Sequence, residues 1–145
     1  MRIWHYALLS TLPDRQFKGQ LRELIAIMRD WKSKGSTNHL LINKVMQYPK
    51  SHLTKYFEMY AHEYEKRYGK EVNLSYLFEF VEFSKYEEKP ITPFTEWHNH
   101  EYLRCNMANL YEKWKFASGN SKLTDNEWKI LTLSYKTITG KRYKI

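Results

Sequence analysis

An α-amine at Met1 and an adjacent Arg22-Glu23 pair lie within one short segment and the helix that follows it. The reference pKa of an α-amine is about 7.7 to 8.0, against about 10.4 for lysine, so a substantial fraction is neutral and nucleophilic at pH 7 without deep burial. A nearby carboxylate can move protons and stabilise positive charge while a carbon–nitrogen bond forms. The chemistry expected of Met1 and Glu23 is therefore amine attack assisted by a proton carrier. Taken alone, a glutamate on a helix flank is ordinarily solvated or salt-bridged, and Arg22 could pair with Glu65 or another carboxylate.

The helix that must carry Glu23 is well marked. Thr11 and Asp14 have capping-box spacing and Pro13 suits a first turn. Phe17, Leu21, Leu24, Met28 and Trp31 then recur at helical intervals up to Gly35. At about 100° per residue, Gln16, Gly19, Gln20, Glu23 and Ile27 form a stripe beside the apolar one, which puts Glu23 at the edge of the core. Gly19 inside a helix costs roughly 1 kcal/mol relative to alanine, and close approach of a backbone or a ligand is the usual compensation. The run from Ile3 to Leu9 is the candidate for that approach; folded over the Gly19 face, it would bring Met1 near Glu23.

The pattern R-I-W-H, then L-S-T-L-P-D-R-Q, then G-Q-L-R-E-L resembles the amino terminus of the pyrimidine-dimer DNA glycosylases, the phage and bacterial family that includes the phage endonuclease acting on ultraviolet-damaged DNA. The resemblance is best over residues 1 to about 30 and echoes through Pro49-Lys50-Ser51-His52 and the helix after it. It implies a compact helical domain whose own α-amine attacks the anomeric carbon of the damaged nucleotide. The base linkage is released, a Schiff base forms, and β-elimination of the 3′ phosphate follows.

By that resemblance Met1 supplies the nucleophile, Glu23 matches the essential carboxylate, Arg22 matches an arginine contacting DNA beside it, and His52 matches a histidine near the nucleophile with an orienting role. On its own, His52 is as readily a first-turn helix residue. Two departures bear on the match. The family's mature chain usually begins with a small residue exposed by methionine removal, whereas Arg2 is expected to block that trimming here, so that Met1 itself would supply the amine; the spacing from Met1 to Ser10 also differs by one residue from the phage form. Where the phage form has a basic residue three positions after the glutamate this chain has Ala26, so Arg29 or Arg15 is expected to take its place.

Composition points to a polyanionic partner. The 145 residues carry 24 basic and 16 acidic side chains, a net charge of +8. No acidic side chain follows Glu127, while Lys129, Lys136, Lys141, Arg142 and Lys144 remain, interleaved with Tyr135 and Tyr143. Such a tail can track phosphates and stack an aromatic on a base, or can be merely solvated. Trp114, in a run alternating basic and aromatic residues, is a candidate for distorted duplex DNA or a helix-end core residue. The DNA-contacting set expected is Arg2, Arg15, Arg29, Trp114, Lys141, Arg142 and Lys144. Most other aromatics should be core, with Tyr56, Tyr60 and Tyr64 on one helix face and Phe78 with Val81 on another.

The single cysteine, Cys105, excludes an internal disulfide framework and a thiolate metal cluster. No signal peptide and no membrane-spanning run is evident, so the expectation is a cytoplasmic monomer acting on double-stranded damaged DNA, with no membrane, cofactor or metal. Further helices are predicted over about 37–47, from Ser51 as cap to Tyr68 with Gly69 closing, from Asn73 to Phe83, from Thr95 to Phe116, and from the Thr124/Glu127 capping box to about Thr137. The fold expected is all-α, a compact single domain of about five to six helices over residues 1–145, with an internal linker at 85–94 and a basic tail at 136–145.

Two other readings stand beside this one. A metal-dependent nuclease would use His98 and His100 with Glu96 or Glu101, but two histidines at i and i+2 of a helix diverge by about 200° and would not share an ion there. A noncatalytic helical DNA-binding module would use the same basic surface without needing a free α-amine or Glu23.

Overall fold

A computed structural model describes residues 2–36, 39–73, 75–83 and 87–145, without the side chains of Tyr76, Phe78, Val81 and Phe83. Among the described residues there are six α-helices and no strand: α1 (Asp14–Lys34), α2 (Leu40–Met46), α3 (Lys50–Tyr68), α4 (Ser75–Phe83), α5 (His100–Lys115) and α6 (Asp125–Thr139). Short 3-10 turns cover Tyr6–Leu8 and Gly119–Ser121. The all-α class read from the sequence is the observed one. None of these helices is long and apolar enough to cross a membrane. Met1, the start of the second predicted helix at Thr37 and Asn38, and Lys85 at the head of the predicted linker lie outside the described residues, as does the Phe78–Val81 side-chain pair.

Chain contacts divide the structure into two units. One contains the chain up to Ile3 together with Gly19–Thr95; the other contains Trp4–Lys18 and Glu96–Ile145. In the first, Leu24, Ile27, Ile42, Val45, Leu53, Phe57 and Tyr60 are fully buried. Trp31 of α1 meets Phe80 of α4 with ring centroids 5.6 Å apart. Ile27, expected on the flanking stripe, belongs to the core, because the apolar face of α1 is wider than the one marked by Phe17, Leu24 and Met28 alone.

In the second unit α5 and α6 form the main helix pair, with Leu103, Met107, Leu110 and Leu131 buried. The N-terminal segment joins it through buried polar contacts. The His5 N–H donates to Asn106 Oδ1 (2.9 Å) and the Tyr6 N–H to His98 Nδ1 (3.1 Å). His5 Nδ1 accepts from Ala7 N–H (3.1 Å), so its Nε2 carries the proton and donates to the His98 carbonyl (2.7 Å). Burial pushes the His5 imidazole down to about 4, the His98 carbonyl bond opposing, and burial with the neighbouring His5 pushes His98 down to about 2.

Helix ends show where local spacing decided and where it did not. The Thr124/Glu127 capping box is present with both reciprocal bonds, and Gly69 and Gly140 close α3 and α6 in left-handed conformation at φ 63° and 73°. Three predicted caps are displaced. Helix α1 begins at Asp14, with the Pro13 carbonyl accepting the first helical bond from Phe17 (2.9 Å). The Thr11 hydroxyl is taken up by the Leu8 carbonyl and Ser134 instead. Helix α3 begins at Lys50 and Ser51 is buried; the Ser51 N–H is capped by the Glu87 carboxylate at 2.8 Å, a contact across 36 positions. Helix α5 begins at His100 rather than Thr95, because Asn99 provides the cap to Tyr102 N–H (2.9 Å) and Phe94, at φ 54°, is not helical.

Candidate active site

The site is built on α1. Gln20 and Glu23 lie one turn apart on the same face, Gln20 fully buried and Glu23 half-buried. The backbone of Arg2 runs across this face. Its N–H donates to Glu23 Oε2 at 3.0 Å, and its carbonyl accepts from Gln20 Nε2 at 2.9 Å. Gln20 Nε2 also donates to Glu23 Oε2 at 3.2 Å. Burial raises the Glu23 carboxyl above the ordinary range, and the Arg2 N–H opposes that rise. A carboxylate raised in this way is a stronger proton acceptor than a solvated one. Arg22, the next residue, is exposed, and it forms no ion pair with Glu65 or any other carboxylate among the described residues.

Helix α3 supplies the second wall. Tyr56 is fully buried and its hydroxyl meets Gln20 Oε1 at 3.2 Å. His52, one turn earlier, accepts the Phe94 N–H at Nδ1 (2.9 Å), which leaves the imidazole proton on Nε2. Burial lowers the His52 pKa, and the Glu87 carboxylate that caps the same helix acts in the opposite direction. Phe94 is fully buried between Tyr48, His52 and Tyr56, at ring distances of 5.2, 5.7 and 6.1 Å. Its left-handed φ of 54° stores strain of about 1–3 kcal/mol, a common mark of functional sites. A continuous line of contacts thus runs Arg2–Glu23–Gln20–Tyr56–Phe94–His52.

Residues 1–75 match the family model described as pyrimidine dimer DNA glycosylase, which covers more than half of the chain. The chain belongs to this glycosylase family. Membership carries a DNA-repair role with DNA as the substrate. No curated protein and no solved structure matches the chain significantly. The matched segment of this glycosylase-family chain contains Arg2, Gln20, Arg22, Glu23, His52 and Tyr56, while Phe94 and helices α5 and α6 lie beyond it.

Within this family member, the predicted site residues divide. Contacts bring Glu23 and the Arg2 backbone together and tie His52 to them through Tyr56 and Phe94; Met1 lies outside the described residues. Periodicity places Gln20 in the Glu23 stripe without marking it as functional, although its i, i+3 spacing to Glu23 is a usable signal. Tyr56 and Phe94 carried no such signal, since both read as core aromatics. Gly19 has no protein atom where a side chain would project, so among the described residues the expected backbone approach is absent there. The chain instead crosses at Gln20 and Glu23, one and four positions further on.

Apart from Arg2, whose backbone crosses Gln20 and Glu23, the predicted DNA-contacting residues of this glycosylase-family chain lie elsewhere on its two units. Arg29 is exposed on α1 and lines a cleft of about 390 Å³ with Met28, Lys32, Ser33, Glu79 and Phe80. Arg15 is exposed and its guanidinium donates to the Lys122 carbonyl. Trp114 stacks on Trp128 (5.2 Å, 12°), gives its indole N–H to Asp125 (2.8 Å), and has the Lys115 ammonium 4.5 Å from its ring centre. Lys141, Arg142 and Lys144 are exposed, and Tyr143 fixes the segment edge-on against Trp128 (5.6 Å) and Tyr135 (5.4 Å). Tyr135 is buried, which places it in the core rather than over a base.

His98 and His100 do not form a helical pair. His98 precedes α5, buried, with Nδ1 on the Tyr6 N–H, whereas His100 is exposed at the first position of the helix. Among the described residues no three His, Cys, Asp or Glu side chains cluster as a metal site.

Proposed function

We propose that this protein is a glycosylase with an associated abasic-site lyase activity on pyrimidine dimers in duplex DNA, using the α-amine of Met1 as nucleophile and Glu23 as proton carrier. The observation that carries this reading is the Arg2 N–H bond to Glu23. It holds the carboxylate one peptide unit from the chain's first residue, and consecutive Cα atoms are about 3.8 Å apart.

The neutral amine attacks C1′ of the damaged nucleotide's deoxyribose. The glycosidic bond breaks, its electron pair leaves with the base nitrogen, and the base takes up a proton. The sugar ring opens to an imine on the α-nitrogen, with Glu23 passing protons between nitrogen and ring oxygen. Loss of a C2′ proton then expels the 3′ phosphate by β-elimination. The positive charge of the iminium is the one that a carboxylate beside the amine stabilises. His52, neutral with its proton on Nε2, orients the pocket through Phe94. Arg22, Arg2, Arg15, Arg29, Trp114, Lys141, Arg142 and Lys144 make the DNA contacts, and the unstacking of a few kcal/mol needed to reach the sugar is smallest at a damaged step.

Borohydride trapping on ultraviolet-irradiated duplex and on an abasic duplex, followed by peptide mapping, tests the reading. An adduct at Met1 on both substrates is expected. An adduct on abasic DNA alone removes the dimer specificity, and an adduct at a lysine removes the nucleophile assignment. With neither adduct and DNA binding intact, the protein is a noncatalytic binder.

A further inference from the structure

We propose that Gln20 and Tyr56 are positioning residues that hold the Glu23 carboxylate in place and in its charged form. This rests on the catalytic reading of Glu23 above.

Gln20 is fully buried, yet its amide is matched at both ends. Its nitrogen faces two acceptors, the Arg2 carbonyl at 2.9 Å and Glu23 Oε2 at 3.2 Å, one for each amide hydrogen. Its oxygen faces the Tyr56 hydroxyl at 3.2 Å. Turning the amide over would set its oxygen against a carbonyl and a carboxylate, two acceptors with no hydrogen between them, so the orientation is determined by its partners. Tyr56, itself fully buried on α3, therefore secures which end of Gln20 meets the carboxylate.

Two consequences follow for Glu23. Its Oε2 accepts two N–H groups, from Arg2 and Gln20, so the plane and direction of the carboxylate are set before substrate arrives. Both donors favour the ionised form against burial, which favours the neutral one; Arg2 and His39 are the charged or titratable side chains of the described residues that act on it in the same sense as the donors. Gln20 also grips the carbonyl of Arg2, the residue whose N–H donates to Glu23, so one side chain sets carboxylate and N-terminal backbone together. A residue that only filled space here would need no amide.

The test compares the full chain with Tyr56→Phe and Gln20→Met, both volume-conserving. The Glu23 side-chain carboxyl carbon is followed by NMR titration, and single-turnover cleavage of an abasic duplex is measured beside duplex affinity. Loss of the Gln20 bond to the carboxylate, direct in Gln20→Met and through release of the amide orientation in Tyr56→Phe, should slow cleavage about tenfold. Affinity should stay within about twofold, since neither side chain meets DNA, and the Glu23 titration should move upwards in both variants. Should Gln20→Met fail to fold, Tyr56→Phe decides by the same two readouts. Unchanged titration, or wild-type cleavage rates in the folded variants, would overturn the proposal. A wild-type protein inactive on every damaged duplex would refute the proposed function instead, and the titration would then decide by itself: an upward shift supports the positioning role, and none overturns it.

Discussion

The backbone N–H of Arg2 donates to Glu23 Oε2 at 3.0 Å across 21 positions of sequence. A residue adjoining the start of the chain and the carboxylate of the first long helix therefore form one device. The bond partly offsets what burial does to Glu23, whose carboxyl is raised above the ordinary range. Such a group is costly to the fold and useful to chemistry, and that tension makes it testable.

Glu23→Gln should lower glycosylase and lyase rates by at least about a hundredfold, the usual worth of a positioned proton carrier. Duplex affinity should be retained. Because the folded state raises this carboxyl, its burial weakens stability as pH rises through the folded value, so the neutral amide should leave thermal stability at pH 7 unchanged or higher. Melting curves and single-turnover assays on the same preparation check both halves.

Acid should destabilise the unit that holds the N-terminal segment. His5 is lowered to about 4 and His98 further, each chiefly by burial, so the unfolded chain binds more protons than the folded one below the ordinary value of 6.5. Stability is then fully present above pH 6.5 and is lost as pH falls toward 4, by roughly 2–3 kcal/mol at pH 4.5 from His5 alone. Urea titrations between pH 7 and 4.5 should show this slope. His98→Asn, which keeps an acceptor for the Tyr6 N–H, should flatten it.

Replacing Lys141, Arg142 and Lys144 together by glutamine should weaken binding to undamaged duplex, with the dependence of log K on log salt shallower by roughly 0.9 for each phosphate that is no longer neutralised. Tyr143 keeps the segment in place against Trp128 and Tyr135 in this variant. An unaltered salt slope would remove the segment from the DNA surface.

Thr124→Ala removes one half of the capping box at the start of α6 and should cost about 1 kcal/mol. In a chain of 145 residues the melting temperature should fall by roughly 2–4 °C. Cleavage per folded molecule should be unaffected, because Thr124 belongs to the second unit and Glu23 to the first.

Local chemistry was legible wherever neighbours in sequence satisfy one another. The Thr124/Glu127 box, the glycine ends of α3 and α6 and the amphipathic run of α1 all depend on contacts within four residues, and periodicity reports these directly. Glu23 at the edge of the core follows from the same arithmetic, and the match of its surroundings to a glycosylase family from the order of residues around it. What tertiary structure decided are the contacts between distant positions. Glu87 caps α3 in place of Ser51, Asn99 rather than Thr95 starts α5, and Phe94 leaves a predicted linker to become a strained, buried wedge against His52. Gln20 and Tyr56 read as a polar flank and a core ring, and only their meeting across 36 positions makes them supports for a carboxylate. A buried polar group must find partners wherever the fold provides them, and no sequence interval encodes a hydrogen bond that exists only once two helices have packed.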